Sequence, residues 1–397
     1  MPEEDTKYLR PIIIDVGTAN FRMGWGGEDY PEIISPSVYV DKSDYLFNSE
    51  VIEGLEEIFL EEKDEDLYLY GNKALNYQNI LKVHEFKKEG NYNILSKFFH
   101  HYYKKLEIPE EYRYLQPIII LSPFIMTDME KTKLKRIFFN EYHFPYLVFL
   151  SERKAILSTL NKASGVIINI GEANAYLSTI LHGFSNIMAR DIFPISGETI
   201  TDYFLNLILQ GKGSKTSVYL DKWLAREIKE KTALCVMNYE NELRKVKEGL
   251  TKYDRTIKLP DNSSLKINSE RFKVIEPFFN PKLIHIDYPG LAESIANIIK
   301  FWDRENWAEL LGNVVLSGGA SLITGFKERL KMELKEFFSP KLQPKIKIIA
   351  VSGRDTMAWI GASILFMKDK LDEGWIKNPE LETQKTQVQE EIEEKVE

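Results

Sequence analysis

At 397 residues and 46.2 kDa the chain exceeds what one ordinary hydrophobic core organises, so two or three domains are expected. Its composition (44% hydrophobic, 12% aromatic, 28% charged) excludes a disordered chain, and the net charge of −8 gives no global pull towards nucleic acid. One cysteine, Cys235, excludes an internal disulfide and a cysteine-rich metal site, which fits a reducing compartment.

The first seven residues are acidic and polar, unlike a signal peptide, and no apolar run reaches the length of a membrane span. A cytoplasmic location is expected, with a nuclear one left open. RPIIIDVG, residues 10–17, is a β-branched run ending at glycine, as a buried strand does before a turn. FRMGWGG, residues 21–27, reads as the return strand of a hairpin whose turn holds Gly17. Residues 41–70 carry the acidic amphipathic run EVIEGLEEIFLEEKDEDLYLY, which reads as a small inserted subdomain or a projecting loop. His100 and His101 diverge if they lie on a helix, and read as packing or surface residues rather than a metal pair. QPIIILSP, residues 116–123, is a further strand. TDMEKTKLKRIFFNEY, residues 127–142, is a helix with capping residues Thr127 and Asp128 and an apolar face of Leu134, Ile137 and Phe138.

GVIINIG, residues 165–171, and YLSTILHG, residues 176–183, form a second hairpin around Gly171. Helical spacing follows in TITDYFLNLIL, SVYLDKWLAREIKEKTALCV, LAESIANIIKFW and GFKERLKMELKEFF; strands follow in NVVLSGG, residues 313–319, and KIKIIAV, residues 345–351. The end, ETQKTQVQEEIEEKVE, is polar and charged, and little fixed structure is expected there. Strands alternating with helices argue an α/β protein, and the repeated strand motif argues a duplicated α/β domain.

The repeat is specific in its details. With Asp15 placed on Asn169, 154 positions apart, Ile13 and Ile14 fall on Ile167 and Ile168, Gly17 on Gly171, Ala19 on Ala173 and Asn20 on Asn174. A glycine turn at a strand end presents successive backbone N–H groups, a concavity suited to phosphate oxygens. Thr18 offers a hydroxyl to the same oxygens, Arg22 is placed to reach them, and Asp15 suits a divalent cation held through water. Taken singly, such a turn is more often plain architecture; two of them, one from each half, suit a phosphate chain gripped from both sides. A third turn, LSGGASLITG, ends a strand and opens a helix at Gly325; its adjacent glycines allow a flat ligand close to the backbone, or simply a tight connection.

The order of these pieces resembles the actin family, within the superfamily that includes Hsp70 and sugar kinases. The resemblance rests on DVGTANFRMGWGGEDYPEIISPS, YGNKALNYQNILKVHEFKKEG, SGETITDYF, REIKEKTALCV, PDNSSLKINSERFKVIEPFFNP, NVVLSGGASLITGFKERL, MAWIGASIL and GWIKN, and covers roughly residues 10–377. Its degree is that of a divergent actin-related protein. It implies duplicated actin-like (ribonuclease H-like) α/β domains with a nucleotide cleft between them, plus small inserted subdomains. The implied division is a first half of residues 1–150, with a subdomain inserted at about 37–85 and a C-terminal return at 345–377. The second half is 151–344, with an insertion at about 197–275, followed by an acidic tail at 378–397.

The resemblance implies ATP or ADP with Mg2+ as ligand. The first phosphate loop would be Asp15, Gly17, Thr18, Ala19 and Asn20, with Arg22 where the family has lysine and with Asp15 meeting the metal through water. The second would be Asn169, Gly171, Glu172, Ala173 and Asn174. Base and ribose would be held by Gly197, Arg226, Lys229, Glu230, Gly318, Gly319 and Leu322. Arg226, Lys229 and Glu230 are spaced to share one helix face, which without the resemblance reads as a solvated face with internal ion pairs.

Three positions depart from the family on the side of the attacking water. Asn169 stands where the family has a second aspartate. Lys154, or Glu152 if the register slips, stands where it has a water-positioning glutamine, and Tyr176 replaces a histidine. Hydrolysis depends on positioning and charge compensation, so at most a slow ATPase is expected. Asp355 stands where the family has a lysine near the base, with Arg354 beside it as a substitute. The acidic run from Glu50 to Asp66, the altered LIHIDYPGL segment and the tail after Trp375 replace the family's filament contacts.

The expectation is therefore a scaffold or regulatory subunit of a cytoskeletal or chromatin-type assembly. Its partners would be actin, actin-related subunits or other proteins, with no membrane partner and nucleic acid met only indirectly. A polymerising actin-like cytoskeletal ATPase is the alternative; a small-molecule kinase on the same fold is disfavoured, because no sugar-binding insertion or catalytic aspartate beyond the loops is evident.

Overall fold

The computed structural model describes residues 7–44, 67–212, 221–260, 262–371 and 374–381. The acidic run from Glu50 to Asp66 and the tail from 382 onward lie outside the described residues. The chain divides into two units, residues 1–159 with 358–397, and residues 160–357.

In the first unit β1 (Ile12–Val16) and β2 (Asn20–Trp25) form an antiparallel hairpin, and β3 (Ile33–Pro36) adds to β2. A separate two-stranded sheet pairs β4 (Tyr39–Asp41) with β5 (Tyr68–Tyr70). On the other side of β1 lie β6 (Ile118–Ser122) and β7 (Tyr146–Ser151), both parallel. The isoleucine triplets 12–14 and 118–120 are wholly buried, as expected of parallel strands covered on both faces. Helix Tyr92–Lys104 covers this sheet with Phe98, which meets Phe21 edge-on at 5.3 Å between ring centres. Helix Asp128–Lys135 starts at a capping box between Thr127 and Glu130, then widens into a π-helical turn over Arg136–Glu141 that buries Ile137 and Phe138.

In the second unit β8 (Gly165–Ile170) and β9 (Ala175–Leu181) form the equivalent hairpin, and β10 (Phe184–Phe193) adds to β9. The hairpin of β11 (Arg255–Lys258) and β12 (Ser264–Ile267) stands apart. Beyond β8 come β13 (Val314–Ser317) and β14 (Ile348–Ile349), both parallel. Helices Gly197–Lys212, Lys222–Thr232, Leu291–Lys300 and Phe326–Lys335 belong to this unit, and Ile200, Phe204, Ile228, Ile295, Ile299, Leu330 and Leu334 from them enter its core.

The two sheets share one plan. Orders β3-β2-β1-β6-β7 and β10-β9-β8-β13-β14 carry the same succession of antiparallel, antiparallel, parallel and parallel pairings. The hairpins match residue for residue: Asp15 pairs with Arg22 and Val16 with Phe21, as Asn169 pairs with Tyr176 and Ile170 with Ala175.

The return to the first unit starts later than the sequence expectation of residue 345, because β14 pairs with β13 and so belongs to the second sheet. From Ala358 the chain packs into the first unit, where Trp359 Nε1 donates to Ile13 O at 3.1 Å. Gly361 lets its helix, Met357–Met367, lie directly on helix Glu152–Ser158. A Cβ there would sit 1.8 Å from Ala155 O, and Ser158 Oγ donates to Gly361 O at 2.8 Å. Last, β15 (Ile376–Lys377) pairs antiparallel with β7.

Candidate functional site

Each unit carries its own set of candidate residues. In the first, the turn between β1 and β2 exposes a short run of backbone whose path is fixed from both sides. A Cβ at Gly17 would lie 2.5 Å from Asn20 O, so the tight turn requires glycine. Ser37 Oγ donates to Gly17 O at 2.7 Å, and Ser37 N donates to Ala19 O at 2.9 Å. Thr18, Ala19 and Asn20 remain partly open to solvent. Behind them Asp15 and Arg22 face each other across the strand pair, with Arg22 Nη1 donating to Asp15 Oδ2 at 2.9 Å; Arg22 is only 7% exposed. The Lys87 ammonium donates to Val16 O.

In the second unit the turn closes on itself, with Gly171 N donating to Asn174 O at 2.9 Å. Helix Gly197–Lys212 is docked against it: Gly197 N donates to Gly171 O at 2.9 Å and Glu198 N to Glu172 O at 2.8 Å. The backbones approach closely at Gly197, where a Cβ would lie 3.2 Å from both Gly171 O and Glu172 Cα. The Glu172 carboxylate turns towards helix Lys222–Thr232, where Arg226 Nη1 approaches Oε1 at 3.8 Å while Arg226 Nε donates to Glu230 at 2.9 Å.

Lys229 does not share the face of Arg226 and Glu230. One step round the helix it turns inward, 4% exposed, and its ammonium donates to Gly197 O at 3.0 Å and Thr201 Oγ1 at 2.8 Å. Burial lowers its pKa, and Glu172 and Glu230 oppose that shift. Its place is that of a strut beneath Gly197.

The third turn abuts the second. Ser317 pairs with Asn169 across β13 and β8, and Gly318 at φ +84° lies so close that a Cβ would stand 2.3 Å from Ile170 O and 2.6 Å from Asn169 Oδ1. Gly319 faces open space, and Leu322 beside it is 46% exposed, an apolar surface next to bare backbone. Arg354 clasps this turn: Nε donates to Ser321 Oγ at 2.9 Å, and the Arg354 carbonyl accepts from Gly318 N at 3.2 Å. Burial lowers the Arg354 pKa, and Asp355 opposes this.

Of the two registers weighed for the water-positioning residue, Lys154 is exposed on helix Glu152–Ser158. Glu152 opens that helix directly after β7, and its charge acts on Lys87, as does that of Asp15. Asn169 and Tyr176 stand opposite one another at the end of the second hairpin. Ser37 and Lys87 are not among the site residues that the sequence points to: both lie in segments that carry the family resemblance, and neither has a local sign of its long-range partner.

The Actin family model matches residues 6–393. A putative actin-29 of Dictyostelium discoideum is 27% identical over 369 residues, 91% of either chain. Centractin of Schizosaccharomyces pombe is 28% identical over 363 residues, 90% of either chain. With a duplicated sheet plan and a family match along almost its whole length, the chain belongs to the actin family.

Proposed function

We propose that this actin-related protein binds ATP or ADP with magnesium, and that it hydrolyses ATP weakly or not at all. The observation that carries this reading is the shared register of the two hairpins, in which Asp15 paired with Arg22 is answered by Asn169 paired with Tyr176.

The residues fit such a ligand. Gly17 and Gly171 sit in tight turns, and Gly319 has open space above it for a flat ring. Among the described residues no cluster of three His, Cys, Asp or Glu is arranged to hold a metal by itself. Magnesium would be held through phosphate oxygens and water, with Asp15 as the outer acid. The cation would supply charge compensation at the phosphates. Arg22 would hold the Asp15 carboxylate in place, Thr18 would donate its hydroxyl, and the third turn would pack on the base. Asn169 accepts a hydrogen bond but has neither the charge nor the basicity of a carboxylate, so this side would bind without activating water well.

From this follows a role in which nucleotide occupancy sets conformation and surfaces serve protein partners, as a scaffold or regulatory subunit. The reading is tested by melting the protein with and without Mg-ATP, and by pelleting it across a concentration series. A melting temperature raised by ATP supports binding through linkage; no shift with any nucleotide overturns it. Concentration-dependent filaments in Mg-ATP would overturn the scaffold role in favour of a polymerising ATPase.

A further inference from the structure

Lys87 reaches the first turn from outside the hairpin. Its ammonium donates to Val16 O, the last residue of β1 and the step into Gly17. Carboxylates of three separate elements act on it: Asp15 on β1, Glu152 at the head of helix Glu152–Ser158, and Glu130 on helix Asp128–Lys135. Glu130 is engaged in its own cap, with Oε2 accepting from Thr127 N at 2.7 Å and from Thr127 Oγ1 at 2.8 Å. Arg22 already takes one oxygen of Asp15. Lys87 as a residue is exposed, with its ammonium end turned in to Val16 O; desolvation there lowers its pKa, and Asp15, Glu152 and Glu130 push the other way.

We propose that Lys87 is a resident cation of the first phosphate loop, a positioning residue that holds the Val16 carbonyl and offsets Asp15 and Glu152, so that a nucleoside di- or triphosphate stays bound when the divalent cation is withdrawn. The inference rests on the nucleotide reading above. A polyphosphate brought towards Asp15 and Glu152 meets like charge, which a divalent cation ordinarily masks. An ammonium fixed beside the Val16 carbonyl offsets part of that repulsion, the more so where its charged end is turned in from solvent.

The test measures ATP affinity for the wild type, Lys87→Met and Lys87→Arg, each in magnesium and in EDTA, with the melting temperature of the free proteins as a control for folding. On chelation the wild type is expected to lose less than about tenfold in affinity, Lys87→Met more than about a hundredfold, and Lys87→Arg to follow the wild type. A purely structural lysine would shift both conditions equally, so an equal chelation loss in all three proteins overturns the inference and leaves nucleotide binding standing. If Lys87→Met does not fold, Glu152→Gln carries the test: it should hold ATP in EDTA at least as well as the wild type, and weaker binding overturns the proposal. A wild type that binds ATP under neither condition overturns the nucleotide reading and this inference with it.

Discussion

Asp15 and Arg22 face each other across the first hairpin and close an ion pair of 2.9 Å, while the same two places in the second hairpin hold Asn169 and Tyr176, which carry no charge. The backbone plan was kept and the electrostatics were not. That difference is measurable on each side.

On the second side, Asn169→Asp restores the acid. Phosphate release in Mg-ATP is expected to rise at least about tenfold, equivalent to roughly 1.4 kcal/mol off the barrier. A variant no faster than the wild type removes Asn169 as the reason for weak hydrolysis.

On the first side, Arg22→Met leaves Asp15 without its partner in a half-buried place. Stability is expected to fall by about 2–4 kcal/mol, and Asp15→Asn added to it should recover part of the loss, because the stranded charge is then gone. Denaturant melts of the two single variants and the double variant measure the coupling; strict additivity would show that the pair contributes nothing.

Gly361→Ala tests the contact between helices. In an open helix this change stabilises by up to about 1 kcal/mol. Here the added carbon would lie 1.8 Å from Ala155 O, backbone that cannot rotate aside, so a loss of at least about 2 kcal/mol is expected. A neutral or raised melting temperature would contradict this packing.

A buried acid makes part of the stability depend on pH. Arg329 Nη2 donates to Glu276 Oε1 at 3.0 Å, and burial pushes the Glu276 carboxyl up to about 7 against the pull of that arginine. Desolvation alone would lower Arg329, but Glu276 and Glu333 more than reverse it, so the arginine stays charged and Glu276 is the group that titrates. The folded protein holds this proton more tightly than the unfolded chain, whose carboxyl titrates near 4.5. The stabilisation is therefore complete below about pH 4.5 and is lost as pH rises towards 7. The stability of the wild type relative to Glu276→Gln should fall by about 1–3 kcal/mol across that window and stay level above it. A difference independent of pH would remove Glu276 as its source.

What could be read in the sequence follows what is local. The runs before Gly17 and Gly171 announce buried strands and turns, and Thr127 with Glu130 announces a helix start, because each signal lies within a few residues. The side of the molecule that receives β14 was not legible: KIKIIAV reads as a strand, but its parallel partner Val314–Val315 lies over thirty positions away. Lys229 departs from its sequence expectation for a related reason. Its spacing with Arg226 and Glu230 suggests a common face, and only the packed helix Gly197–Lys212 shows that its ammonium has Gly197 O and Thr201 to satisfy it. The reach of Lys87 to Val16, over 71 positions, had no sequence signal at all.

The late return of the chain has a consequence for biosynthesis. Residues 160–357 form one uninterrupted unit, whereas the first lacks Trp359, Gly361 and the β15 edge until the ribosome has delivered them. The half that is translated first is thus completed last, and its exposed sheet edge and unfilled Ala155 contact must wait, shielded or unshielded, while the later half matures.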